Sequence, residues 1–321
     1  MKIRLYIITG MIGCMTLLSC STTTTDAPDA AERLIEFGTS VSREIVETTK
    51  DMNSFLVWGG YDGEKSNTFA EVQVSKNPAN VWAYEGTRYW ASEKKYDFYA
   101  FYPADIKPKF NSTDGCFSLY NYTLGNADRD LMAAAAIGLN SDTEATKPVP
   151  FLFRHLLTQV DFVVNADPET VNLVGEVKIT SARFYGIHTT ANYDGSSFNA
   201  DDTSLNGVWT PVGEAVTQDN TPFQVTDYAL VTTGKSLFNA PLLLFPMLKD
   251  ESVFMDLKYT IGSDPTVYSK PFNLSVMTPG GWLSGKSYRY RITIIDNDHI
   301  LFEKPTVNQW NTGIGGIVIV E

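Results

Sequence analysis

Two stretches, Val253-Phe-Met-Asp-Leu-Lys-Tyr-Thr-Ile261 and Tyr288-Arg-Tyr-Arg-Ile-Thr-Ile294, decide how this 321-residue chain folds. In the first, Val253, Met255, Leu257, Tyr259 and Ile261 share one face. In the second, Tyr288, Tyr290, Ile292 and Ile294 point one way, and Arg289, Arg291 and Thr293 the other. Side chains alternate across a strand, so a period of two in aromatic and β-branched residues predicts half-buried antiparallel strands. Val160-Asp-Phe-Val-Val164 and Val177-Lys-Ile179 carry the same pattern. Turn-forming clusters separate such runs at Asn77-Pro78, Asp194-Gly195-Ser196-Ser197, Asp264-Pro265 and Pro279-Gly280-Gly281. Helical signals are short. Asp130-Leu-Met-Ala-Ala-Ala-Ala136 has helical propensity without an amphipathic continuation, and Asp29-Ala-Ala-Glu-Arg-Leu34 is brief. Thr189 to Gln224 reads as long loops with one strand around Val208-Trp209. Many strands without interspersed helices predict an all-β chain built of antiparallel β-sandwiches.

Composition narrows the function classes. A hydrophobic share of 43% with 19% charged residues is a globular balance. The length suits one or two domains. The net charge of −12 argues against a nucleic-acid partner, which needs a basic patch. Three His and three Cys are too few for a zinc cluster or a disulfide framework.

The first twenty residues predict export. Lys2 and Arg4 precede an apolar run from Leu5 to Leu18, shorter than a bilayer-spanning helix requires. It ends in Leu17-Leu18-Ser19-Cys20, which resembles a bacterial lipobox. Residues 1–19 are then a lipoprotein signal peptide, Cys20 the lipidated residue and residues 20–33 a tether to the outer membrane. Several acyl chains, at about 0.8 kcal/mol per buried methylene, would anchor it firmly. Loss of two bases with the signal takes the charge to −14. Cys14 leaves with the signal, and Cys116 is expected to be a small buried apolar residue.

No motif carries catalysis. Gly280-Gly-Trp-Leu-Ser-Gly285-Lys286-Ser287 fits the phosphate-loop pattern G-x-x-x-x-G-K-[ST]. A phosphate loop needs a helix after it, and here a strand pattern follows. The stretch is read as a turn, with Trp282 and Tyr288 in the core. No G-x-S-x-G is present, and His155, His188 and His299 are far apart. His155 is expected to be a packed or hydrogen-bonded strand residue. Acid pairs at Asp128/Asp130, Asp201/Asp202 and Asp296/Asp298 lack calcium-loop spacing and read as solvated turns. No catalytic residue, metal or cofactor is expected.

A set of motifs, in order along the chain, resembles the fimbrillin-like lipoproteins. They are Phe55-Leu-Val-Trp-Gly59, Trp82-Ala-Tyr84, Tyr89-Trp90, Tyr96-Asp-Phe-Tyr-Ala-Phe-Tyr-Pro103 and Asp130-Leu-Met-Ala133. Phe151-Leu-Phe-Arg-His155-Leu-Leu-Thr-Gln-Val160, Leu242-Leu-Leu-Phe-Pro246, Trp282-Leu-Ser-Gly-Lys-Ser-Tyr288-Arg-Tyr290 and Trp310 continue the series. Met247 stands where the resemblance leads one to expect Gln. The resemblance implies two tandem transthyretin-like (Ig-like) β-sandwich domains, placed here at residues 34–147 and 148–321. It implies a type V pilus subunit, trimmed by an arginine-specific protease and joined to other pilus subunits by donor-strand addition.

On this sequence the removable strand maps to Leu34–Ser42 and the cleavage site to Arg43, with Arg33 as runner-up. The apolar terminus containing Ile317, Val318, Ile319 and Val320 is the donor-strand candidate, or else the last strand of its own sandwich. The expected place is the cell surface, with a host or bacterial surface ligand left open. The alternative is a surface lipoprotein that binds glycans without polymerising, for which six Trp supply candidate platforms.

Overall fold

The computed structural model describes residues 33–41, 52–125, 129–199, 206–230, 232–247, 251–297 and 299–310. Within them the chain forms four sheets and three short helices. A seven-stranded sheet contains β1 (Phe37–Val41), β2 (Ser54–Tyr61), β3 (Phe69–Lys76), β4 (Trp82–Tyr84), β5 (Lys95–Tyr102), β8 (Met132–Asn140) and β9 (Val149–His155). Its spatial order is β1-β9-β8-β5-β2-β3-β4. A second sheet, β13-β12-β7-β6, takes β6 (Lys109–Asn111), β7 (Cys116–Thr123), β12 (Thr190–Asp194) and β13 (Val208–Pro211).

A third sheet is built on β10 (Thr158–Ala166) and β19 (Lys286–Ile294). Around them lie β15 (Lys235–Ser236), β16 (Leu242–Leu244), β20 (Ile300–Phe302) and β21 (Thr306–Gln309). The fourth sheet runs β14-β11-β17-β18, from β11 (Val177–Tyr185), β14 (Gln224–Ala229), β17 (Phe254–Ile261) and β18 (Tyr268–Asn273). The helices are α1 (Ser141–Glu144), α2 (Pro168–Val174) and α3 (Leu274–Met277).

Three apolar cores follow from which faces the strands bury. On β2, Phe55 and Val57 enter one core and Leu56 and Trp58 another. β5 divides likewise, Tyr96, Phe98 and Ala100 against Tyr99 and Phe101. The seven-stranded sheet is therefore buried on both faces at its centre, which is why β2 reads as a continuous apolar run. The second sheet covers one of those faces through Phe117, Leu119, Tyr193 and Trp209. The third core lies between the third and fourth sheets, with Phe162, Phe184, Tyr259, Trp282 and Tyr290 at its centre.

Several expectations meet their structural outcome here. The all-β class holds, and the four strands read from alternation are β10, β11, β17 and β19. Two pairings differ from the antiparallel expectation: β1 runs parallel to β9, and β10 runs parallel to β19. Alternation encodes which face is buried and carries no strand direction. The alanine run lies in β8, because Ala133 and Ala134 go to opposite buried faces where larger side chains would not fit. The loop region holds β12 as well as β13; the polar residues of β12 hid its inward pair, Ala191 and Tyr193. The seven-stranded sheet continues past residue 147 to take in β9, and β12 and β13 pair through β7 with the same half.

Candidate functional site

The most distinctive site is the seat of β1. Its sequence, Leu34-Ile-Glu-Phe-Gly-Thr39, alternates so that Ile35 and Phe37 turn inward and are buried, while Leu34 and Glu36 are exposed. Register is set by pairing with β9, Phe37 opposite Val149 and Val41 opposite Phe153. The Val149 N–H donates to the Glu36 carbonyl at 2.8 Å. On the other side Ile35 N–H donates to Arg88 O at 2.8 Å, and Trp90 N–H to Arg33 O at 2.9 Å. Leu34 and Tyr89 form an antiparallel bridge. β1 thus fills the gap between β9 and the chain that follows β4.

Phe37 is the anchor. Its ring stacks on Phe151 at 5.5 Å between centroids, and meets Phe69 at 5.2 Å, Tyr84 at 5.7 Å, Phe98 at 6.0 Å and Phe55 at 6.5 Å edge-on. Edge-to-face and offset-stacked contacts each add to plain area burial. Two polar side chains reach β1 from β4. Tyr84 Oη donates to the Ile35 carbonyl at 2.7 Å, and Trp82 Nε1 donates to Thr39 Oγ1 at 3.0 Å. Burial raises the Tyr84 hydroxyl above its ordinary pKa, so it remains a donor at any physiological pH. The Arg88 guanidinium lies over both Phe69, at 4.8 Å, and Tyr84, at 5.4 Å, and its Nε donates to Thr68 O at 2.8 Å.

Among the described residues, the strand pairing of β1 is with a segment distant in sequence. Its partner β9 lies more than a hundred residues away, and no hairpin joins them. The neighbouring pairs β2–β3, β3–β4, β5–β8 and β8–β9 are antiparallel and do not involve β1. β1 is thus a parallel strand at the end of its sheet's order, held by main-chain bonds and anchored by one aromatic ring.

The remaining expected residues divide clearly. Cys20, Arg43, Ile317, Val318, Ile319 and Val320 lie outside the described residues. Arg33 is half-buried, with its carbonyl tied to Trp90. Cys116 is partly buried, and burial pushes its thiol pKa up, the reverse of an activated nucleophile. His155 ends β9, where it bonds Asp130 and stacks on Trp310 at 3.8 Å. The phosphate-loop pattern runs directly into β19, with Trp282 and Tyr288 buried. Among the described residues no three His, Cys, Asp or Glu cluster to hold a metal. Of the six Trp, Trp82 is half-buried and the other five are buried, so none offers an open sugar platform. The aromatic anchors around β1 were legible as strand residues, but their convergence on Phe37 required the sheet to curl.

Comparison with known proteins gives the same architecture. A family profile described as fimbrillin-like matches residues 44–310. No curated protein matches the chain. Among solved structures, a fimbrial protein from Bacteroides vulgatus superposes with a TM-score of 0.59 at 17% identity, over 87% of this chain and 100% of its own. A candidate cell-adhesion protein from Bacteroides uniformis gives 0.52 at 16% identity, with coverages of 87% and 100%. Another from Bacteroides ovatus gives 0.51 at 18% identity, with coverages of 86% and 97%. The match over most of its length shows that this chain belongs to the fimbrillin-like family, a non-enzymatic class of fimbrial subunits.

Proposed function

We propose that the chain is exported as an outer-membrane lipoprotein lipidated on Cys20, trimmed after Arg43 by an arginine-specific protease, and assembled by donor-strand addition. The observation that carries this reading is the seat of β1, a parallel edge strand without a hairpin, anchored by Phe37 among five aromatic rings. Cutting after Arg43 removes all of β1 and opens an apolar groove. Burying the Ile35 and Phe37 side chains contributes roughly 1.5–3 kcal/mol each, so an empty groove favours a replacement. The apolar segment Ile317-Val-Ile-Val320 of a neighbouring subunit has the β-branched character to fill it. Before cutting, β1 covers that groove and keeps the precursor from associating too early.

The two arginines are not equivalent. Cutting after Arg33 would leave β1 in place, and the Arg33 carbonyl is held by the Trp90 N–H. A protease binds its substrate extended and free of such pairing. The family profile, starting at residue 44, also leaves out β1 and the last eleven residues. Trimming after Arg43 returns the net charge from −14 to −12.

N-terminal sequencing of surface-assembled protein tests the proposal. Polymer beginning at Glu44 supports it, and polymer beginning at Cys20 rejects trimming. Replacing Arg43→Ala should leave lipid-anchored monomer, and deletion of residues 315–321 should abolish polymer without unfolding the subunit.

A further inference from the structure

The outer face of the second sheet carries a feature away from the seat of β1. Tyr120 on β7 is 66% exposed, the most exposed aromatic side chain among the described residues. A β-bulge sets its position: Ala191 pairs with Tyr122 and Tyr193 with Leu119, so Tyr120 and Asn121 together oppose Asn192. Asn121 sits at φ +49°. Its N–H donates to Asn192 Oδ1 at 2.7 Å, which pins the bulge. A bulge of this kind redirects a side chain away from the regular pleat.

The ring stands between two open depressions. One, of about 660 Å³, includes Ser118, Asn192, Asp194 and Thr210. The other, of about 490 Å³, lies along β7 beside Lys107 and Lys109. Both fall in the size range of small-molecule sites, and Tyr120 lines each. Asn192, whose Oδ1 accepts the Asn121 N–H, lines the first depression. Asp194 Oδ1 accepts from Ser196 N–H at 2.9 Å, which fixes the carboxylate as an acceptor. The first depression is lined by one lysine, Lys109, and two acids, Asp114 and Asp194, interspersed with hydroxyl and amide groups.

We propose that this face binds a stretch of neutral polysaccharide, with a sugar ring stacked on Tyr120 and the chain continuing into both depressions. A rigid ring offers a large contact area at low entropy cost, and fixed donors and acceptors beside it match sugar hydroxyls. The first depression's mixed-sign lining suits an uncharged ligand. In the second, Lys107 is paired with Glu71 at 2.9 Å, which leaves Lys109, shared by both, as the one cation without an acid partner beside it in that lining among the described residues. The chain's net charge of −12 disfavours a polyanion. Two depressions on either side of one ring suit the interior of a chain rather than a single terminal sugar. The face lies on a different sheet from the seat of β1, so the proposal stands apart from assembly.

Titration calorimetry of the intact chain against neutral hexasaccharides (β-1,4-glucan, α-1,4-glucan, β-1,3-glucan, β-1,4-mannan and α-1,6-mannan) tests it. At least one should bind, and Tyr120→Ala should weaken it by about tenfold or more. Tyr120→Phe should bind within about threefold of the parent, because the ring face survives. Circular dichroism should show both variants folded, as the side chain is exposed, and polymer formation should not change. Failure of all five sugars, or equal binding by Tyr120→Ala, overturns the proposal. Equal affinity for the matching monosaccharide overturns the chain-spanning geometry, and preference for heparin overturns the neutral ligand.

Discussion

Two parallel strand pairs, β1–β9 and β10–β19, are held in different ways. Both close an apolar core, and both join segments more than a hundred residues apart. β19 is nine residues long, and Tyr288, Tyr290, Ile292 and Ile294 all turn inward. It is flanked by β10 on one side and by β20 and β21 on the other. Polar bonds lock its rings: Trp282 Nε1 donates to Tyr290 Oη at 2.9 Å, and Tyr290 and Thr278 hydroxyls meet at 2.6 Å. β1 is five residues long, and its seat rests on buried Phe37 and on Ile35 two residues earlier. The difference teaches that parallel pairing does not itself set how firmly a strand is held. Length, flanking partners and buried polar bonds decide it.

Breaking the β10–β19 side gives the largest effect. Tyr290→Ala removes a buried ring and orphans two partners. A cavity cost of about 3–5 kcal/mol, plus about 1–3 kcal/mol for each unpaired group, exceeds what most domains can lose. Loss of the unfolding transition of the third and fourth sheets, followed by near-ultraviolet circular dichroism, is expected. On the β1 side, Phe37→Ala should destabilise the full-length subunit by about 3–5 kcal/mol in denaturant titrations. Once residues 1–43 are removed, the position no longer exists. The trimmed chain should therefore match the mutant's seven-stranded-sheet transition more closely than the parent's. Equal stability of parent and Phe37→Ala would break the comparison.

Smaller changes sharpen it. Tyr84→Phe deletes the bond to the Ile35 carbonyl and should cost about 0.5–1.5 kcal/mol in the untrimmed subunit only. Burial pushes the Tyr290 hydroxyl up to about 12, while in the unfolded chain a tyrosine ionises near 10. A raised pKa in the folded state gives stability that is complete below pH ~10 and is lost as pH rises through about 12. Alkaline titration of unfolding should show that loss in the parent, and a shallower slope between those limits in Tyr290→Phe. The smallest effect belongs to Asp105. The bond from Arg129 holds its carboxyl below the usual range, so its contribution is present above pH ~4 and fades as pH falls. The pair is largely exposed, so Asp105→Asn should cost only about 0.2–1 kcal/mol at pH 7 in a denaturant titration.

Much of this was legible in the residues. The alternation in β10, β17 and β19 gave their buried faces, and the polar 189–224 region correctly placed β13. β12 was missed, because its inward residues, Ala191 and Tyr193, are spaced among Thr, Asn and Asp. Leu34–Ser42 could be marked as a strand, and β1 lies inside it, but no pattern in it reveals five aromatic partners from five other strands. Nor could Tyr120 be singled out, since its exposure depends on a bulge that exists only against Asn192. The tryptophans, the first candidates for a sugar platform, are packed away, and a tyrosine stands out in their place.

The sequence by itself determined the class of structure and excluded most chemistry. Period-two patterning is local, so each strand announces its buried face, and the scarcity of His and Cys is visible without coordinates. Only the tertiary structure decided strand direction, the curl that brings Phe37 among its rings, and the two-sided burial that makes an alanine run a strand. Those properties arise between segments distant along the chain, where pairing and packing overrule local propensity.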